Sequence, residues 1–182
     1  MPTHAAFLRA VNLGRTRKTG SAELRKAFEG EGFEDVSTFR TSGNVVFSAG
    51  RESAAKLTGR IERALADAFG FEVVVFLRTA KEVRAIAAQR PFSPKQLKAT
   101  EGRLQVLLLH KKPSAAKQKK VLDLAGEDDR LAFGKRELFW LPTAGTQTSE
   151  LDQKALGKLV GQGTVRTMGT IELIASKYFG DP

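Results

Sequence analysis

Two short polar stretches contain the residues of this chain that are best suited to bind a ligand. The first follows the opening apolar segment and includes Arg9 and Asn12, and the second includes Ser42 and Asn44. Each stretch joins a strand-like apolar run to turn-forming residues, so polar groups gather at predicted strand ends. Neither stretch matches a catalytic motif, and the residues alone therefore assign no nucleophile, base or reaction.

A third group of candidates lies near the C-terminus. Arg166 and Thr170 are predicted to lie just before the last helix, where Thr170 caps free amides, Arg166 offers a bidentate fork and the helix dipole favours an anion. We hypothesise that a small anionic or nucleotide-like ligand binds at the edge between the two halves of the chain. The candidate ligand-binding residues are Arg9, Asn12, Ser42, Asn44, Arg166 and Thr170.

Ordinary folding roles offer an alternative for each of these residues. Turn chemistry explains Ser42 and Asn44 equally well, and Asn12 is suited to satisfying loop backbone. In the same way, Thr170 would cap its own helix while Arg166 pairs with an internal carboxylate. Whether the polar residues of the two halves converge is left open by the sequence.

The positive charge of the chain favours a different class of partner. The net charge is +10, and residues 79–182 hold 18 Lys/Arg against 11 Asp/Glu, whereas residues 1–78 hold 12 against 9. Non-specific binding of nucleic acid is therefore the main alternative function, because phosphate attracts clustered cations. Its candidate residues are Lys111, Lys112, Lys117, Lys119 and Lys120.

Features of the basic stretch, residues 111–120, argue against a protein that recognises a specific RNA sequence. No aromatic residue is interleaved with its lysines, and the central strands lack the exposed aromatics of RNA-recognition modules. The loop from Gly14 to Gly20 carries three cations but lacks the spacing of a Walker loop, so a solvated turn is the favoured interpretation.

The composition excludes several kinds of chemistry. The chain has no cysteine, which rules out disulfides, thiolate catalysis and cysteine-ligated metal clusters. His4 and His110 stand alone without neighbours at ligand spacing, and Glu127 to Asp129 lack the pattern of a calcium loop. We expect no metal and no cofactor. An enzyme that relies on Arg, Ser and Asn remains a third hypothesis.

The apolar segments are too short to span a membrane as helices. No apolar run approaches the roughly 20 residues that span a bilayer, and the start of the chain lacks the pattern of a signal peptide. We therefore expect a cytoplasmic protein without a membrane partner.

The elements that position these residues follow from hydrophobic periodicity. Residues 1–78 are predicted to form strand, helix, strand, strand, helix, strand, an order typical of a ferredoxin-like sandwich. Ser21 is the expected N-cap of the first helix, and Gly70 is expected to end the second. Val74 and Phe76 are apolar, but they point to the opposite face of the sheet from the other apolar residues of their strand. Both faces of this sheet should therefore be covered, and we expect the second half to cover the face that a ferredoxin-like sandwich leaves open. Residues 79–100 are expected to form a helical, proline-containing connector, and residues 101–182 a second α+β subdomain.

The second half shows weaker signals. We expect a strand from Leu104 to Leu109, a basic helix from Ser114 to Ala125 and a hairpin that turns at Gly134-Lys135. Ser149 is predicted to begin the next helix, and Ile171 to Tyr178 the last one. This order of elements suggests a modified second copy of the first half.

Several segments, in this order and spacing, resemble the bacterial domain-of-unknown-function family numbered 1697. They include Leu8-Arg9-Ala10-Val11-Asn12-Leu13-Gly14, Ser42-Gly43-Asn44-Val45-Val46-Phe47 and Thr164-Val165-Arg166-Thr167-Met168-Gly169-Thr170. The resemblance implies an α+β fold of two ferredoxin-like subdomains and implies no activity. The chain departs from the family pattern at Ala10 and Arg15, where glycines are expected, and at Thr167, where asparagine is common.

Overall fold

The elements of the chain are a mixture of strands and helices. A computed structural model describes residues 1–9, 11, 18–41, 43–100, 103–147 and 149–180. In chain order the elements are β1 (His4–Arg9), α1 (Ser21–Gly30), β2 (Glu34–Thr38), β3 (Asn44–Ser48), α2 (Ala54–Phe69), β4 (Val74–Thr79), α3 (Ala80–Ala87), α4 (Pro94–Lys98), β5 (Gln105–Leu109), α5 (Ala115–Leu122), β6 (Asp129–Phe133), β7 (Glu137–Pro142), α6 (Gln153–Val160), β8 (Gly163–Thr167) and α7 (Met168–Phe179).

The strands form two antiparallel sheets with the same topology. The first has the order β2-β3-β1-β4 and the second β6-β7-β5-β8, so each sheet places its first and third strands in the centre. Each belongs to a βαββαβ unit, the arrangement of a ferredoxin-like sandwich. The predicted α+β class and the predicted repetition of the first half are confirmed.

The chain divides into two compact units. Unit 1 contains Met1–Ala85 and Leu173–Pro182, and unit 2 contains Ile86–Glu172. Helix α7 therefore begins in unit 2, and its last residues belong to unit 1. The predicted boundaries of the two subdomains, at residues 1–78 and 101–182, and of the connector, at residues 79–100, stay a prediction.

The core of unit 1 lies between one face of the first sheet and the apolar stripes of α1 and α2. Helix α2 shows why the sequence folds this way: Leu57, Ile61 and Leu65 recur at helical spacing and are all buried. Burying each of these side chains contributes about 1.5–3 kcal/mol relative to leaving it exposed. Gly70 ends the helix in the left-handed conformation with φ of 74°, as predicted from its glycine.

The opposite face of each sheet is buried as well. In unit 1 this face carries Ala5, Phe7, Val46, Phe76 and Arg78, all at most 1% exposed. In unit 2 it carries Val106, Leu108, Phe139 and Leu141, which are equally buried. The prediction that both faces of the first sheet are covered is confirmed. That the second half provides the cover stays a prediction.

Two elements were absent from the sequence-based assignment. Helix α4 begins at Pro94, inside the proline-containing connector, because Ser93 and Gln96 form a capping box and proline is favourable at the first helical position. Strand β8 was also missed, since its five residues show no run of apolar side chains and it pairs only through the tertiary fold with β5.

Three predicted helix starts and turns were displaced. Helix α6 begins at Gln153 with Asp152 as its cap, rather than at Ser149, whose hydroxyl instead donates to Asp129. Gly20, not Ser21, precedes the first residue of α1. In the β6–β7 hairpin Gly134 N donates to Glu137 O, so the turn residues are Lys135 and Arg136. Local capping signals fixed these elements only to within a few residues.

Candidate functional site

The candidate residues of unit 1 lie near the turn between β2 and β3. Asn44 is 1% exposed, and its Nδ2 donates to Phe39 O at 2.9 Å while Phe39 N donates to Asn44 O at 2.9 Å. Asn44 therefore closes the turn, which is one of the alternatives that the sequence left open. Arg9 ends β1 and is half-buried. Asn12 and Ser42 lie outside the described residues.

Arg166 lies within a strand rather than before a helix. It is the fourth residue of β8, and its Nη1 donates to Thr164 Oγ1 and to Val165 O, both at 2.8 Å. Burial lowers the pKa of Arg166 to about 10. A guanidinium with this pKa remains charged at neutral pH, and its burial has to be offset by the hydrogen bonds that it donates.

The predicted capping role of Thr170 was wrong. Helix α7 begins at Met168, so Thr170 is its third residue, and Thr170 N donates to Thr167 Oγ1 at 3.3 Å. Thr167 therefore performs the capping, and Thr170 Oγ1 lies 3.0 Å from Thr167 Oγ1. The missed strand β8 explains the error, because it places the start of α7 three residues earlier than the predicted Ile171.

The lysines of the basic stretch in unit 2 are accessible to solvent. Lys111, Lys112, Lys117, Lys119 and Lys120 are all exposed. The last three project from α5, which Ser114 caps by accepting from Lys117 N and which faces the core through Val121. Lys119 forms one ion pair, with Asp123 at 3.3 Å, and its exposure makes this pair weak.

The fold adds two further cations to this stretch. The hairpin residues Lys135 and Arg136 lie beside the end of β5, since Leu109 N donates to Arg136 O at 2.9 Å and Arg136 Nη1 donates to His110 O at 3.5 Å. Lys135 is exposed and Arg136 half-buried. The sequence does not place them beside the lysines, because it predicts a hairpin without a strand register. We call these seven residues the basic surface: Lys111, Lys112, Lys117, Lys119, Lys120, Lys135 and Arg136.

An open cavity of about 460 Å³ lies elsewhere in unit 2, and its lining mixes both signs of charge. Lys95 and Arg130 face the same space as Glu127, together with Gln96, Ala99 and Thr143. The carboxylate reduces the attraction of this cavity for anions. It is therefore a weaker anion site than the basic surface.

Metal ligation and membrane insertion find no support in the described part of the chain. There, no three side chains of the metal-binding types His, Asp and Glu are grouped so that they would hold an ion. Over the same residues, no helix combines the length and apolarity needed to cross a membrane.

The fold and the site define a class of protein: an α+β chain with two βαββαβ units and a basic surface on the second. The chain belongs to DUF1697, a family described as proteins of unknown function, whose model matches residues 1–139. This confirms the resemblance noted in the sequence.

A solved structure shares the architecture. The chain is similar to a conserved bacterial protein from Streptococcus pneumoniae, with a TM-score of 0.71 and 21% identity over 96% of this chain and 97% of that one. At this identity the similarity shows the fold alone. No curated protein matches the chain.

Proposed function

We propose that the protein binds nucleic acid through the phosphate backbone, without sequence specificity, and that the basic surface of unit 2 provides the contacts. The observation that supports this proposal most strongly is the position of the hairpin cations. Lys135 and Arg136 are distant in sequence from Lys111 and Lys112, but their hairpin is hydrogen-bonded to the strand end that precedes these lysines. Clustered exposed cations release counterions from a polyanion when they bind it.

The chemistry of the surface suits a backbone rather than a base edge. Six of its seven cations are lysines, which act as flexible point charges, whereas base readout in the major groove relies on planar, bidentate groups. The proposal therefore specifies affinity for phosphate and no preference among sequences.

Fluorescence anisotropy of labelled duplex DNA and single-stranded RNA, measured across a salt series, tests the proposal. We expect the logarithm of the binding constant to fall linearly with that of the salt concentration. Replacing Lys135 and Arg136 together by Gln should weaken binding and lower the magnitude of this slope by up to about 2 for duplex DNA, since each lost phosphate contact removes about 0.9.

A matched control removes the same charge elsewhere. Arg25 and Lys26 are exposed on α1 of unit 1, so their double replacement by Gln lowers the net charge equally. We expect this control to bind almost as the original chain does. Equal weakening by both double variants would show that only total charge matters, and an absence of binding at low salt would exclude the function.

The small-ligand hypothesis ranks second, supported by the burial of Arg166. Burial lowers the pKa of this guanidinium, and perturbed pKa values accumulate at functional sites, although burial in a purely structural role also lowers a pKa. Under this hypothesis Arg9→Ala and Arg166→Ala abolish the effect of one anionic ligand on the melting temperature. Replacing Lys117, Lys119 and Lys120 by Gln would then leave that effect intact.

A further inference from the structure

The structure brings two aromatic rings and two cations together in unit 1. The rings of Phe39 and Tyr178 lie with centroids 6.1 Å apart at an interplanar angle of 85°. Lys177 Nζ is 5.8 Å from the centroid of Phe39 and 5.1 Å from that of Tyr178, and Arg40 Cζ is 5.3 Å from Phe39. We call these four residues the aromatic cluster. The sequence does not indicate it, because its members come from the end of β2 and the end of α7.

The cluster remains accessible to a ligand. Phe39 and Tyr178 are half-buried, and Arg40 and Lys177 are exposed. Among the described residues, neither ring belongs to the apolar core that α1 and α2 form with the first sheet. Both aromatic residues are therefore partly exposed beside positive charge, and proteins that bind single-stranded nucleic acid combine these two features.

The backbone that carries one of these rings is held in a defined position. The backbone N and O of Phe39 each form a hydrogen bond with the buried Asn44. The following residue, Arg40, adopts a left-handed backbone conformation with φ of 57°, which is uncommon outside glycine. A ring on an ordered backbone loses less conformational freedom when a ligand binds than a ring on a disordered loop.

We infer that the aromatic cluster stacks a base of single-stranded nucleic acid, an inference that rests on the proposed function and adds a preference for single strands to it. A base that stacks on an aromatic ring interacts with that ring more strongly than an exposed cation does. The base therefore displaces Lys177 or Arg40 from the ring face, and the released cation pairs with the adjoining phosphate. Paired bases in a duplex are stacked on each other and cannot make this contact.

The test compares a single-stranded oligonucleotide with a duplex of the same length, using the full chain and fluorescence anisotropy. We expect Phe39→Leu and Tyr178→Leu each to weaken single-strand binding by about 5- to 150-fold, the effect of losing one base–aromatic stack. Duplex affinity should not change, and the salt slope should keep its value, because no phosphate contact is lost. Phe39→Tyr keeps a ring and should retain affinity.

A control variant separates stacking from folding. Phe71 is a half-buried phenylalanine that packs against the core of unit 1, so Phe71→Leu removes a ring without touching the cluster. It should bind single strands as the original chain does, and thermal melting of all variants checks that they fold. A folded Phe39→Leu variant with undiminished single-strand affinity would overturn the inference, as would an equal loss of duplex affinity.

The experiment distinguishes failure of the inference from failure of the proposed function. If duplex and single strand bind equally well and the salt slope depends on Lys135 and Arg136, the stacking site is overturned and the basic surface stands. Single-strand binding that requires Phe39 but ignores the cations of the basic surface would overturn the proposed surface instead. An absence of binding to either oligonucleotide at low salt would overturn both.

Discussion

Arg78 and Arg166 occupy equivalent positions in the two sheets. In the register of the strands, Arg78 lies opposite Ala5, the second residue of β1, and Arg166 lies opposite Val106, the second residue of β5. Each Nη1 donates to the carbonyl of the preceding residue, at 3.0 Å for Arg78 and 2.8 Å for Arg166. The next residue in each case is a threonine that accepts from the backbone amide three residues later. The two units thus share a buried arginine at the junction of their last strand with the following helix.

This equivalence predicts similar costs for removing either arginine. Arg78→Ala and Arg166→Ala should each lower the free energy of unfolding by about 2–4 kcal/mol, because a buried side chain leaves both a cavity and unpaired acceptors. Urea denaturation measures the change. Arg130 is exposed on β6, so Arg130→Ala should alter stability by less than about 0.5 kcal/mol. If Arg166→Ala proves as mild as this control, its burial serves binding rather than folding.

Gly43 is predicted to be irreplaceable in the turn before β3. Its φ is +71°, and an added Cβ would lie 2.5 Å from Val11 Cγ2 and 3.0 Å from Leu8 Cβ. Gly43→Ala should therefore cost about 2–4 kcal/mol of stability from strain and overpacking combined.

Two other glycines separate these contributions. Gly70 has φ of +74° but open space around its Cα, so Gly70→Ala should cost about 1 kcal/mol from backbone strain alone. Gly50 has neither constraint, and Gly50→Ala should be nearly neutral. Denaturation midpoints that do not follow this order would contradict the steric argument.

The carboxylate of Asp129 is predicted to organise the edge of the second sheet. It accepts from Trp140 Nε1 and from Ser149 Oγ, the latter at 2.8 Å to Oδ1, and it is 5% exposed. Asp129→Ala leaves two donors unpaired and should cost about 1–3 kcal/mol, whereas Ser149→Ala should cost about 0.5–1.5 kcal/mol. Trp140 is the single tryptophan of the chain, so its emission spectrum reports the change directly.

An exposed carboxylate provides the comparison for Asp129. Asp123 lies at the end of α5 and pairs with the exposed Lys119. Asp123→Ala should leave both the emission of Trp140 and the denaturation midpoint almost unchanged. An emission spectrum that is the same in Asp129→Ala and in the original chain would contradict the proposed hydrogen bond to the indole.

His4 is predicted to make stability depend on pH near neutrality. Burial lowers the pKa of His4 below its ordinary value of 6.5, and the nearby Glu82 opposes part of this shift. The unfolded chain therefore binds a proton on His4 more readily than the folded chain does. The contribution of neutral His4 to the free energy of unfolding is fully present above pH 6.5, and it is lost as the pH falls towards the folded-state pKa. The variant His4→Gln should lose less stability between about pH 7 and pH 5, as measured by urea denaturation.

The other histidine serves as the control for this titration. His110 is exposed in the loop after β5. His110→Gln should preserve the pH dependence of the original chain. If His4→Gln and the original chain lost the same stability over this range, the pH dependence would come from other groups.

Long periodic elements were predictable, and short ones were less so. Helix α2 was assigned correctly because Leu57, Ile61 and Leu65 keep one period over more than two turns and Gly70 marks the end. Strand β8 escaped because five residues with alternating burial carry too little pattern by themselves. The error at Thr170 followed directly from this omission, since the start of α7 depends on where β8 ends.

The sequence by itself determined the α+β class, the order of elements in the first unit and the family, because these depend on local periodicity, turn residues and short motifs. Only the tertiary structure decided which distant side chains meet. Lys135 and Arg136 join the basic stretch through the register of β5 with β7, and Phe39 meets Tyr178 across 139 positions of chain. Such contacts arise from the pairing of strands and the packing of helices, and no local pattern of residues encodes their distances.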